Sequence, residues 1–183
     1  MQTAVAKRLA DGRRLHLQHG PIDLIIGADG DRERAFAAAT QRFQTVLEEL
    51  VAELPILRCQ KKGEVTGAIA WQMQRAIHPH VTQGFVTPMA AVAGAVADTV
   101  LAAMLDKARP RRAYVNNGGD ISLYLGKGTF FDIGIADDRD THLSDFAMTA
   151  SGGDGGCMPL HGRIRLHDYD RIGGIATSGW RGR

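Results

Sequence analysis

The sequence of 183 residues is poor in cysteine, proline and aromatic residues. It has two cysteines, six prolines and an aromatic content of 6%. Cys59 and Cys157 lack the spacing of a paired-cysteine zinc site. A reduced pair in the cytoplasm is the expected state, and a disulfide is the alternative. The net charge of +2 at pH 7 gives no indication of a nucleic-acid partner or of an anionic membrane surface.

Several catalytic signatures are also missing from the sequence. It contains no P-loop, no GxSxG nucleophile turn, no HExxH zinc motif and no GxGxxG dinucleotide fingerprint. The mechanisms that depend on these motifs are therefore not indicated.

The longest apolar run carries little charge but does not predict a membrane span. Residues 85–105 contain one charged residue, Asp98, near the middle, and many of the other residues are alanine. A central carboxylate opposes insertion strongly and alanine favours it weakly. We expect a buried helix here, and residues 1–17 contain no apolar run of secretory length.

The patterns that are present predict helices between two groups of strands. Strands are expected over 13–17, 22–26, 113–115, 121–125, 129–136, 163–166 and 173–177, with a long excursion over 137–162. Helices are expected over 32–54 with Asp31 as N-cap, over 67–77, and over 89–106 with Thr87 as N-cap. This order favours one α+β domain over residues 1–183, with a mostly antiparallel sheet, rather than a βαβ alternation.

Asp98 is the first candidate for a functional residue. Its helical neighbours three and four positions away are Gly94, Ala95, Leu101 and Ala102, which are small or apolar. A carboxylate on such a face is costly unless it has a partner. It is either a buried group bonded to the amides of a neighbouring loop or a group that orients a ligand or a catalytic loop.

The second candidate is the stretch Asn116-Asn117-Gly118-Gly119-Asp120 between two predicted strands. Its glycines permit positive φ and expose backbone amides, which can bind a phosphate or the edge of a heterocycle. The alternative is a plain hairpin turn.

The third candidate is GGIATSGWR at residues 173–181. The hydroxyls of Thr177 and Ser178, the amide of Gly179 and the guanidinium of Arg181 are groups that bind phosphate. The alternative is a Ser-Gly turn without a ligand.

In this order, AVAGAVAD at 91–98, NNGGDI at 116–121 and GGIATSGWR at 173–181 resemble the ApbE superfamily. Its best-known members are FAD:protein FMN transferases, and the greater likeness is to a shorter, uncharacterised ApbE-related group. Gly94 and Asp98 match the family's helix motif, whereas Ala93 stands at the position of its lysine.

The resemblance implies a cleft that binds FAD or FMN, with Mg²⁺ near the phosphates, and transfer of FMN to a Thr or Ser of an acceptor flavoprotein. The binding residues that it implies are Asp98, Asn116, Gly118, Gly119, Asp120, Thr177, Ser178, Gly179 and Arg181. The family's magnesium ligands lie in a carboxyl-terminal segment beyond the matched motifs. No catalytic residue or metal ligand is therefore predicted.

Two other functions are consistent with the same residues. One is a non-catalytic binding or carrier protein for a flavin or another phosphorylated small molecule. The other is a structural domain in which all three motifs are turns. A homo-oligomer in which a second subunit completes the cleft is a further expectation.

Overall fold

A computed structural model describes residues 3–60, 63–136 and 160–176. Its strands are β1 Val5–Arg8, β2 Arg14–His19, β3 Ile22–Asp29, β4 Arg112–Asn117, β5 Asp120–Leu125, β6 Phe130–Ala136, β7 Leu160–His167 and β8 Gly174–Ile175. Its helices are α1 Arg32–Ala52, α2 Leu54–Leu57, α3 Ala68–Ile77 and α4 Val92–Lys107, with 3₁₀ turns at His78–His80, Pro88–Ala91 and Asp168–Asp170. The predicted α+β fold, a single domain with a mostly antiparallel sheet, is confirmed.

The main sheet has six strands in the order β1-β2-β3-β4-β5-β8, and β6 pairs with β7 in a separate two-stranded sheet. All strand pairs in the described part of the chain are antiparallel. β3 and β4 are neighbours although all four helices lie between them in the sequence. This pairing places the strands that follow Pro110 beside the amino-terminal hairpin.

The helices cover one face of the main sheet. α4 contacts β4 and β5, and α1 contacts α4, β2 and β3. The core between these layers includes Leu17, Leu24, Ile26, Phe43, Val46, Val96, Val100, Met104 and Val115. Burial of this apolar surface is the main contribution to stability, at about 25 cal/mol per Å².

The two-stranded sheet covers the opposite face of the main sheet. Phe131 and Ile133 of β6 pack with Tyr114, Ile121 and Leu123 of β4 and β5. For this reason β6 does not continue the β4–β5 hairpin in the same sheet, although the sequence predicted three consecutive strands. Its apolar residues gain more burial by crossing to the uncovered face.

Asp31 is the N-cap residue of α1, as predicted, and Thr87 is the N-cap residue of the 3₁₀ turn that leads into α4, but neither side chain makes a cap hydrogen bond. Asp31 has a left-handed φ of 44° and makes no side-chain bond to the start of α1, because an N-cap residue needs an extended backbone for that bond. Its carboxylate accepts from the Arg109 amide at 3.0 Å instead. Thr87 also makes no cap bond, since the 3₁₀ turn Pro88–Ala91 precedes α4, which starts at Val92.

The long excursion predicted over 137–162 is partly wrong. Leu160–Gly162 belong to β7, where they pair with the end of β6. The remainder, 137–159, lies outside the described residues. The strand predicted over 173–177 is shorter than expected, with β8 limited to Gly174–Ile175.

The segment Pro88–Lys107 is long and apolar enough to meet the criterion for a membrane span, with a mean hydropathy of 1.7. A central helix of a folded core has the same length and composition. α4 occupies such a position here, because Ala95, Val96, Val100 and Met104 are buried in the core.

Tyr114 offers a pH-dependent test of the packing between the two sheets. Burial raises its pKa from 10.0 to about 12, and its ring meets the Phe131 ring edge-on at a centroid distance of 6.1 Å. Because the folded-state pKa is the higher one, the neutral phenol contributes stability that is complete below pH 10 and is lost as the pH rises through 12. We expect the free energy of unfolding to fall by about 2 kcal/mol over this interval from this group.

The measurement is urea unfolding at several pH values, compared with Tyr114→Phe. The difference between the two proteins isolates this phenol from the other groups that titrate in the same interval. Identical pH dependence in both proteins would contradict the prediction.

Glu53 caps α3 from a remote position in the chain. Its carboxylate accepts from the amides of Thr66 at 3.2 Å and Gly67 at 2.5 Å, immediately before α3. A carboxylate here pairs amides near the helix N-terminus and complements the helix dipole. We expect Glu53→Ala to lower the free energy of unfolding by about 1 kcal/mol in urea denaturation. Glu48→Ala, at an exposed position of α1, is the matched control, and equal losses in the two variants would refute the capping role.

Candidate functional site

The candidate site lies where the first half of α4 meets the β4–β5 turn. Asp98, Gly118, Gly119 and Asp120 lie in this region. Asn116 is at the same turn but pairs with Ile121, so its side chain is on the face of the sheet away from α4. The predicted residues Thr177, Ser178, Gly179 and Arg181 lie outside the described residues.

The β4–β5 turn has the geometry of a tight hairpin. Gly118 and Gly119 have φ values of 62° and 105°, as a two-residue turn of type I′ requires at both positions. The Gly119 amide donates to the Asn116 side-chain oxygen at 2.9 Å. Asn116 and Gly119 therefore bond to each other, which agrees with the hairpin interpretation of this stretch.

Strand register brings polar side chains of the hairpin to α4. Asn117 pairs with Asp120, and Val115 pairs with Ser122. Alternation along the strands puts Asn117, Asp120 and Ser122 on the face that α4 covers. The Asn117 side-chain amide donates to the Ala93 carbonyl of α4 at 3.1 Å, so the turn is tied to the helix.

Asp98 is exposed, unlike the buried carboxylate that the sequence suggested as one interpretation. It accepts a hydrogen bond from the hydroxyl of Ser122, which is only 3% exposed. Its partner is thus a hydroxyl of β5 and not the amides of a loop. Helical periodicity turns Asp98 away from the core because Ala97 and Leu101 take the inward positions.

Ser122 is a residue of the site that sequence reasoning missed. A signal was present in DISLYL, where Asp120 and Ser122 are two residues apart and share one face of a strand. Its partner could not be inferred, because the bond to Asp98 joins residues 24 positions apart.

The surface around Asp98 is open. A Cβ built on Gly94, one helical turn before Asp98, would meet no atom within 4 Å, and the same is true of Gly118. Small residues on α4 and in the turn thus leave space beside a carboxylate that a buried hydroxyl holds in position. This space is a surface patch, which we call the Asp98 patch: Gly94, Asp98, Asn117, Gly118, Asp120 and Ser122.

The charge of the Asp98 patch is negative. Asp98 and Asp120 are its ionisable residues, and Asn117 and Ser122 add neutral polar groups. Such a patch accepts hydrogen bonds from ligand hydroxyls and N–H groups, and it repels a bare phosphate. Among the described residues no group of three or more His, Cys, Asp or Glu side chains forms a metal site. Carboxylate oxygens are nonetheless of the type that holds Mg²⁺ when substrate phosphates supply the other ligands.

β8 brings the third sequence motif to the same part of the sheet. Gly174 pairs with Ser122 and Ile175 pairs with Ile121. The Gly173 carbonyl accepts from the Leu123 amide at 2.7 Å, and a Cβ on Gly174 would lie 2.8 Å from the Ile121 carbonyl oxygen. Gly174 of GGIATSGWR is thus needed for the close approach of β8 to β5, whereas a Cβ on Gly173 would meet no atom within 4 Å.

A family model described as AbpE bacteria matches residues 6–183. No curated protein matches the sequence. This family is distinct from ApbE, so the resemblance to the ApbE superfamily is wrong. The physical reason is that short glycine-rich and hydroxyl-rich stretches occur wherever tight turns are needed, as Gly118 and Gly119 illustrate.

Proposed function

This chain belongs to the AbpE bacteria family, and from the geometry of the Asp98 patch we propose that it binds a phosphorylated small molecule without transforming it. A flavin nucleotide, FAD or FMN, is the first candidate. The observation that carries the proposal is the exposed Asp98 carboxylate, held by the buried Ser122 hydroxyl beside the open surface of Gly94.

The donor and acceptor chemistry supports a ligand rich in hydroxyl groups. Asp98 and Asp120 are acceptors, and a ribose or ribityl chain presents several hydroxyl donors close together. Because Ser122 already orients Asp98, the carboxylate loses little side-chain freedom when a ligand binds. The phosphate of such a ligand would need a cation, and Mg²⁺ bound to Asp98 would supply the charge that neutralises it.

Ser122 has a positioning role in this proposal, because its hydroxyl is 3% exposed and donates to Asp98. FMN transfer to an acceptor flavoprotein was supported by the ApbE resemblance, and no observation of the described residues favours it.

The test is titration of FAD, FMN and ADP into the protein, with and without Mg²⁺, followed by flavin fluorescence and calorimetry. We expect saturable binding with a Kd of about 1–100 μM. Binding of FAD and FMN but not ADP would show that the protein recognises the flavin half of FAD. Binding of FAD and ADP but not FMN would place the adenylate half there and would reject a flavin-specific site.

The magnesium arm tests the role of the carboxylates. If Mg²⁺ bridges Asp98 and a phosphate, its removal weakens binding of the phosphorylated ligands but not of riboflavin. Absence of saturable binding for all three nucleotides, in the presence and absence of Mg²⁺, would refute the proposed function.

A further inference from the structure

The outer edge of β1 is separate from the Asp98 patch, at the other side of the main sheet. β1 is the first strand in the sheet order, and no described strand pairs with its outer edge. All four of its residues are exposed, including Val5 at 57%. An open edge of this kind can pair with another extended chain.

The hydrogen-bond pattern shows which groups face outward. The Leu9 amide donates to the Arg14 carbonyl at 3.0 Å, so this pair is a hydrogen-bonded one. Because such pairs alternate in an antiparallel ladder, Val5 and Lys7 bond to β2, whereas Ala6 and Arg8 direct their N–H and C=O groups to the free edge.

A depression of about 480 Å³ lies beside this edge, between β2 and α1. We call it the β1 groove; it is lined by Leu15 of β2 and by Phe36, Ala37, Thr40, Gln41 and Gln44 of α1. Leu15 and Phe36 form an apolar floor, at 6% and 4% exposure, while Gln41 and Gln44 supply exposed amide groups. Arg8 borders the groove, pairs with Glu33 and lies over the Phe36 ring at 5.5 Å.

A free strand edge beside a groove formed with a helix matches one common mode of peptide recognition. The peptide backbone extends the sheet, and alternate side chains enter the groove. α1 packs mainly on β2 and β3, and it reaches β1 through Glu33 and Phe36, which contact the Arg8 side chain.

The charge at the edge identifies the kind of partner. Residues 5–14 contain Lys7, Arg8, Arg13 and Arg14 but one acid, Asp11. Asp11 pairs with Arg14 and Glu33 pairs with Arg8, which leaves Lys7 and Arg13 as an excess of positive charge. A second copy of the chain would bring like charges together at this edge, whereas an acidic segment would neutralise them.

We propose that the free edge of β1 binds an extended acidic segment of a partner protein, which adds a strand to the main sheet and inserts an apolar side chain into the β1 groove. This site is independent of the Asp98 patch. Its ligand class is a peptide and not a nucleotide.

The probe is a synthetic peptide of alternating valine and threonine with aspartate at both ends. We expect saturable shifts of the Ala6 and Arg8 amide signals, with slower hydrogen exchange at both amides, and a Kd below about 1 mM. The same peptide with lysine in place of aspartate should bind at least about threefold more weakly because its charge is reversed. A version with proline at the central valine should lose binding, since proline cannot donate to the ladder.

Variants of the protein test the edge and the groove separately. Ala6→Pro removes an outward N–H without removing a bond to β2, so the fold is kept while peptide binding weakens by about tenfold. Ala37→Glu puts a carboxylate in the groove and should weaken binding of the acidic peptide by about threefold. Ala52→Glu, at an exposed position of α1 outside the groove, is the control that leaves binding unchanged.

Three outcomes would overturn the proposal. One is the absence of saturable shifts at Ala6 and Arg8 up to about 1 mM peptide. Another is equal affinity for the aspartate and lysine peptides. The third is amide protection at Ala6 that rises with protein concentration alone, which would assign the edge to a second copy of this chain.

Discussion

Gly27→Val is expected to lower the free energy of unfolding by about 3 kcal/mol. Gly27 of β3 pairs with Tyr114 of β4, and the tyrosine ring lies across the space that a side chain would occupy. A Cβ at this position would be 2.3 Å from Cε1 and 2.8 Å from Cζ of the ring. The ring is 8% exposed and packs on Phe131, so it cannot move aside without opening the contact between the two sheets.

The double mutant provides the control for this prediction. Gly27→Ala should cost about 2 kcal/mol in the native background and less than about 1 kcal/mol in a Tyr114→Ala background, where the ring is absent. Urea denaturation of the four proteins measures the coupling. Additive effects would show that the loss comes from the strand backbone and not from the ring.

Asp98→Ala is expected to weaken nucleotide binding by about 10- to 100-fold, because it removes a charged hydrogen-bond acceptor from the proposed site. The same change leaves the buried Ser122 hydroxyl without its acceptor, which should lower the free energy of unfolding by about 1 kcal/mol. Asp98→Asn keeps an acceptor oxygen for Ser122 but removes the charge. It should retain stability and still lose affinity.

Two further variants test whether the loss of affinity is specific to the Asp98 carboxylate. Asp106→Ala removes another exposed carboxylate of α4, paired with Lys107, and should leave binding unchanged. Ser122→Ala keeps the carboxylate of Asp98 but releases it from its partner, so a loss of affinity smaller than for Asp98→Ala is expected. Calorimetric titration measures the nucleotide affinity of all four variants. An unchanged affinity of Asp98→Ala would show that the ligand does not bind at this patch.

Local patterns predicted most of the elements. The apolar spacing of α1 and α3 placed both helices close to their observed ranges, because each buries one face on the sheet. The alternation in β2 and β5 placed these strands close to their observed ranges, and the glycines between β4 and β5 form the hairpin turn that was one interpretation of that stretch. β1 was missed because its residues VAKR are all exposed and show no apolar alternation.

The candidate site was predicted in part. Asp98 stood out as a charge in an apolar helix, and the glycine turn stood out by its composition. The link between them depends on Ser122 and Asn117, whose bonds to α4 join residues 24 positions apart. No local pattern contains such a bond.

The sequence by itself determined the helices, most strands and the antiparallel α+β class, because burial of one face imposes a period that residues close in the chain reveal. Tertiary structure alone decided that β6 crosses to the second sheet, that Glu53 caps α3 and that Ser122 holds Asp98 at the surface. These features depend on which distant groups meet after the chain has folded, and each is set by packing and by the need to pair buried polar atoms.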